Sequence, residues 1–132
     1  MPKWTNDLVL EAALSFIVSN STKMTVCTSQ PTTYAQATSL VGGGGYKLAE
    51  IAIGSGDFSA FAEGLVDGRR TSVAQKADLD VLASGTSGHI VLVQDSPQRI
   101  LHITTCPPQT LTSGNKVTVP TWDIEFGDPI NP

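Results

Sequence analysis

One stretch of this chain, Asn6 to Asn20, reads as a helix, and its polar face is unusually narrow. Asp7, Glu11 and Ser15 fall at i, i+4 and i+8 and form a single polar stripe, while Leu8, Val9, Leu10, Ala12, Ala13, Leu14, Phe16, Ile17 and Val18 cover the rest. Asn6 is placed to cap the first turn, and Asp7 complements the positive end of the helix dipole. A helix apolar around most of its circumference is either deeply buried or covered by another subunit. One small sheet covers only one side of a helix, so the sequence calls for a second cover.

From Met24 onward the pattern changes to short runs rich in Val, Ile, Thr and aromatic residues, separated by Gly, Pro, Asp and Ser. The strands expected are Met24 to Ser29, Tyr46 to Ile53, Phe58 to Gly64, Arg70 to Gln75, Leu79 to Leu82, His89 to Gln94, Arg99 to Thr105 and Lys116 to Phe126. The clearest pair is a hairpin closed by Asp95-Ser96-Pro97-Gln98. The fold class is therefore mainly β: an antiparallel β-sandwich, jelly-roll or immunoglobulin-like, with one N-terminal α-helix. Residues 1–132 make a single domain, with a helix and arm over 1–20 and a β body over 24–128. Between the first two strands, Gln30 to Gly45 shows no periodicity and holds Gly42-Gly43-Gly44-Gly45. Ordering four consecutive glycines carries a high backbone entropy cost, so a flexible loop over 30–45 is expected.

Composition narrows the function. Only 15% of the 132 residues are charged, against about 25% in ordinary domains. Ser and Thr supply 27 positions, giving a polar but weakly charged surface. Net charge is -4 and no basic run exceeds Arg69-Arg70, so nucleic acid is excluded as an expected partner. The apolar stretch Leu8 to Val18 is too short to span about 30 Å of hydrocarbon. Asp7 and Glu11 also break a signal-peptide pattern, so neither a membrane partner nor export is expected. Cys27 and Cys106, 79 positions apart, form no Cys-x-x-Cys motif and read as buried thiols, with one spatial pairing left open.

No constellation outweighs its structural alternative. His89 and His102 lie on opposite hairpin strands, facing or offset by one pair, but a metal needs three or four ligands and no third is evident. Gly54-Ser55-Gly56-Asp57 and Gly85-Thr86-Ser87-Gly88-His89 hold serine-hydrolase parts without the strand-to-helix elbow that gives them meaning, and read as turns. The glycine run before Lys47 fails the phosphate-loop pattern, because Tyr46 and Leu48 flank the lysine and a strand follows. Asp78 and Asp80 share one face of a strand, read as a wet one. Arg69-Arg70 reads as a turn exit screened by Asp67. Trp122 reads as core, whereas Trp4, ahead of the helix, reads as a contact residue. Catalytic residues, cofactors and metals are thus expected to be none. The contact residues expected are Trp4, Leu8, Leu10, Leu14, Phe16, Ile17, Tyr34, Gly43 and Gly44.

The order of several short motifs resembles that of a family of small structural proteins of tailed bacteriophages. The motifs are the apolar helix, Thr25-Val26-Cys27-Thr28-Ser29-Gln30-Pro31-Thr32-Thr33-Tyr34-Ala35, Gly56-Asp57-Phe58, Asp67-Gly68-Arg69-Arg70, Gly88-His89-Ile90-Val91-Leu92-Val93 and Leu111 through Phe126. The resemblance covers nearly the whole chain and departs from the family pattern at Gly42 to Gly45. It implies a virion protein, a capsid decoration or cement protein on the capsid exterior, assembled in the host cytoplasm. It also implies a homo-oligomer, a trimer, whose partner is the major capsid protein. Residues 1–20 and 30–45 would be its contact elements. The alternative is a tail fibre, spike or adaptor component of the particle.

Overall fold

A computed structural model of the chain describes residues 6–63 and 68–126. Asn6 caps helix α1 (Asp7–Asn20) as its side chain predicts, accepting at Oδ1 from the Leu8 N–H at 2.8 Å. Ser21 closes the other end, donating to the Ile17 carbonyl through both its N–H (3.0 Å) and its hydroxyl (2.6 Å). There follow β1 (Lys23–Cys27), a short helix α2 (Tyr34–Thr38), β2 (Lys47–Ala52), a 3-10 turn (Ser55–Asp57), β3 (Ala62–Glu63), β4 (Arg69–Val73) and β5 (Lys76–Asp80). The chain continues through β6 (Gly85–Thr86), β7 (His89–Asp95), β8 (Gln98–Thr105), β9 (Thr110–Leu111), β10 (Lys116–Val119) and β11 (Trp122–Phe126).

The expected mainly β architecture with one N-terminal helix is present, and its strand pairings are antiparallel. A four-stranded sheet runs β2-β1-β7-β8, beside a three-stranded sheet β11-β4-β3 and the pairs β10-β5 and β6-β9. β1 and β7 are covered on both faces, which explains the unbroken apolar run Ile90–Val93 in β7 and the burial of Thr25 along with Met24, Val26 and Cys27 in β1. Met24, Val26, Ile90 and Leu92 point into the main core with Leu14, Leu48, Val73, Leu79, Val119 and Ile124. Their neighbours Cys27, Val91 and Val93 point the other way and pack with Ala37 of α2, Tyr34, Tyr46, Ile100 and Ile103.

Several boundaries differ from the sequence reading for identifiable reasons. The run Lys116 to Phe126 is two strands on different sheets, because Pro120 has no N–H to continue a ladder. Among the described residues of Phe58 to Gly64, Ala62–Glu63 joins a ladder and Phe58 makes a single bridge to Val73, and the strand expected at Leu79 starts at Lys76. Within 30–45 the chain forms α2, capped by the Thr33 hydroxyl, which accepts from the Gln36 N–H at 3.2 Å. The glycines make a tight turn: Gly42 and Gly44 have φ near +90°, and a methyl group at Gly45 would stand 2.0 Å from the Ser39 carbonyl oxygen. The turn brings Lys47 back to Ser39, whose carbonyl accepts its N–H at 3.0 Å.

Helix α1 lies against β4, β11 and the 3-10 turn of its own chain. Its buried residues are Leu10, Leu14 and Ile17, spaced i, i+4, i+7. These three were expected as contact residues for a partner, and that expectation is corrected: they fill the protein's own core. The Glu11 carboxylate fixes the helix to β4 through Arg69 at 2.8 Å. Asp67 lies outside the described residues.

Candidate functional site

With one apolar row of α1 spent on the core, a second row remains outside. At 100° per residue, Leu8, Val9, Ala12, Ala13 and Phe16 fall on one contiguous arc, opposite the Leu10, Leu14, Ile17 row and beside the acidic stripe. All five are exposed, Leu8 at 73%, Val9 at 60% and Phe16 at 49%. The Arg99 guanidinium of β8 sits 6.0 Å from the centre of the Phe16 ring, a cation–π contact at the margin of the row. Leu8 and Phe16 were expected contact residues. Val9 was not singled out, although its helical phase beside Phe16 was readable.

A second feature is a cleft of about 310 Å³ between the end of β8 and strands β10 and β11. Its walls include Val26, Ile90, Leu111, Val117, Val119, Cys106 and Trp122. The volume is at the small end of the range for ligand pockets, about 300–1,000 Å³. Trp122, expected as core, is half-buried and forms a wall. Its ring stacks on His102 at a centroid distance of 5.9 Å and an interplanar angle of 18°. The indole Nε1 is buried without a hydrogen-bond partner, a condition that costs about 1–3 kcal/mol. Burial pushes the His102 pKa down, so the imidazole is neutral at pH 7.

A third feature is an ionic network at the edge of α2. The Tyr34 hydroxyl donates to Asp95 Oδ1 at 2.6 Å, which raises the phenol's pKa and lowers the carboxyl's. Lys23 Nζ lies 3.1 Å from Glu50 Oε2 and 4.0 Å from Asp95, and Lys47 Nζ, nearly buried, lies 2.9 Å from Glu50 Oε1. Burial pushes the Glu50 carboxyl up, but the bonds from Lys47 and Lys23 outweigh it and hold it below its usual value. The bond to Glu50 likewise raises Lys23. Tyr34, expected to contact a partner, is half-buried and ties α2 to the β7–β8 turn.

Among the other expected residues, Gly43 and Gly44 are exposed at the glycine turn, and Trp4 lies outside the described residues. His89 pairs with Thr105 and His102 with Leu92, so the histidines sit three pairs apart along the hairpin, neither facing nor offset by one. Cys27 and Cys106 are free thiols, and burial raises the pKa of Cys27. Asp57 folds back on its own turn, accepting from the Gly54 N–H at 2.9 Å and pairing with Lys76. Ser87 exchanges hydrogen bonds with the Gln109 backbone. Asp78 and Asp80 are exposed, as expected, and Asp80 pairs with Lys116. Among the described residues no group of three or more His, Cys, Asp or Glu is placed to hold a metal ion, and no helix is long and apolar enough to cross a membrane. No family model, no curated protein and no solved structure matches the chain.

Proposed function

We propose that this chain is a structural protein of a phage particle: a capsid decoration protein that assembles as a homo-oligomer, a trimer, and binds the major capsid protein on the shell exterior. The observation that carries the reading is the outer row of α1, with Leu8, Val9 and Phe16 left in water after the helix has filled its own core. Exposed large apolar residues contiguous on one element mark an interaction surface. Covering these three side chains would contribute about 3–5 kcal/mol per subunit. In this reading the four-stranded sheet and the smaller sheets across the core are the two layers of a sandwich of jelly-roll or immunoglobulin-like kind. The family resemblance in motif order supports the particle context.

The test is the solution mass by light scattering, first alone and then with expanded shells that lack the protein. A discrete oligomer that saturates the shells at fixed stoichiometry is expected, and Leu8→Ser with Phe16→Ser should weaken both steps without unfolding the chain. A monomer that ignores the shells would overturn the proposal. Copy number in the particle, read from gel densitometry, separates head from tail: hundreds support decoration, and tens or fewer would move the protein to the tail.

A further inference from the structure

We propose that residues 32–45 form a strap that lifts off the four-stranded sheet as a unit and gates access to the Cys27 thiol, with the Tyr34–Asp95 hydrogen bond as its latch. No residue of the outer α1 row takes part, so the strap stands apart from the capsid reading.

The segment is lightly fastened to the sheet. Pro31 and Gly45 bracket it and are buried, and between them Ala37 is the one buried residue. An alanine brings little apolar area to the second core, whose other buried members, Cys27, Val91 and Val93, belong to β1 and β7. Among the described residues, the backbone hydrogen bonds made by 32–45 end within 32–47, as when the Ser39 N–H donates to Ala35 and the Tyr46 N–H to Gln36. Two bonds cross to strands other than β2: the Tyr34 hydroxyl donates to Asp95 at 2.6 Å, and Cys27 Sγ donates to the Ala37 carbonyl at 3.8 Å. A unit bonded within itself and weakly tied outside opens at a lower free energy than the whole chain unfolds.

The closed strap hides a thiol. Cys27 is fully buried, and burial raises its pKa, so beneath the strap it is protonated and unreactive. Its backbone is held by β2 on one side and β7 on the other, and neither ladder includes α2. Lifting the strap therefore opens the side chain to a small thiol-reactive molecule while the sheet stays intact.

The test is the rate at which N-ethylmaleimide labels Cys27 in the full chain, resolved from Cys106 by peptide mass mapping. Below the urea unfolding transition that rate is expected to stay nearly constant, because lifting a strap exposes far less surface than unfolding does. Tyr34→Phe keeps the ring and removes the latch, and should speed labelling about fivefold. Ile124→Val, in the main core, should leave the rate unchanged, whereas labelling through global unfolding would be accelerated by it about as much. Cys27 labelled no faster than global unfolding allows, with a rate that climbs with urea along the unfolding slope or responds to Ile124→Val as it does to Tyr34→Phe, overturns the strap. Equal rates in Tyr34→Phe and the unmutated chain overturn the latch.

Discussion

Gly45 is constrained by contact, and Gly43 two residues earlier is not. A methyl group at Gly45 would overlap the Ser39 carbonyl oxygen, whereas at Gly43 its nearest neighbour would be the Leu40 carbonyl oxygen at 3.4 Å. Gly45→Ala should therefore destabilise the chain by about 3 kcal/mol or more. Gly43→Ala should be neutral or stabilising by up to about 1 kcal/mol, through the entropy it removes from the unfolded chain. Urea midpoints of the two variants check the contrast. His102 gives a pH dependence with a definite sign. Its folded pKa is lowered by burial, so the unfolded chain binds more protons as pH falls below about 6.5, and stability declines from there through the lowered folded value. His102→Phe should flatten the urea midpoint between pH 7 and pH 5.5, a range above the titration of Asp57, Asp95 and Glu50, whose pKa values are lowered from the carboxylate range.

At the scale of elements, α1 carries two apolar rows with separate duties. Leu14 is fully buried, and Leu14→Ala should cost about 2–5 kcal/mol in chemical denaturation. Leu8→Ser and Val9→Ser, on the outer row, should each cost less than about 0.5 kcal/mol and act on association instead, read as a fall in mass by light scattering. An acidic substitution at Leu14 would thus report on folding and only one at Phe16 on assembly. Helix α2 shows how a short element escapes periodicity. Five residues are too few to display a 3.6-residue repeat, but Thr33-x-x-Gln36 is a capping pattern that marked its start. The Gln36 side chain reaches back to the Thr32 N–H at 2.8 Å, and the Thr33 hydroxyl accepts from the Gln36 N–H. Thr33→Ala should cost about 1 kcal/mol, measured by the same denaturation.

For the whole molecule, the order β2-β1-β7-β8 places the first strand beside one more than sixty residues away, Lys23 opposite Val93. β1 and β7 are interior strands covered on both faces, and β8 is an edge whose residues are half-buried or exposed. Amide hydrogen exchange should therefore be slowest in Met24–Cys27 and Ile90–Val93, approaching the global unfolding limit, and clearly faster along the outer side of β8. Protection spread evenly over the four strands would contradict this layering. Such a non-local pairing also places the protein among slowly folding β topologies.

The helix with its Asn6 cap, the hairpin, the mainly β class and most strand positions follow from the sequence, because each depends on residues within a few positions of one another. Capping, period-2 alternation and turn chemistry act locally and leave local marks. The partition of the apolar helix residues does not: Leu14 and Phe16 are equally hydrophobic, and only the placement of β4 and β11 decides which is buried. The same holds for the cleft. Its walls come from β1, β7, β8, β9, β10 and β11, so the unpaired indole N–H of Trp122 and the stacked His102 exist only once the strands are assembled. The glycine run sits between these cases. Its composition predicts a turn or loop, but the carbonyl of Ser39 that excludes any side chain at Gly45 is brought there by the fold. Short-range preferences are written residue by residue, whereas burial and polar satisfaction are properties of the space between elements, which tertiary packing alone creates.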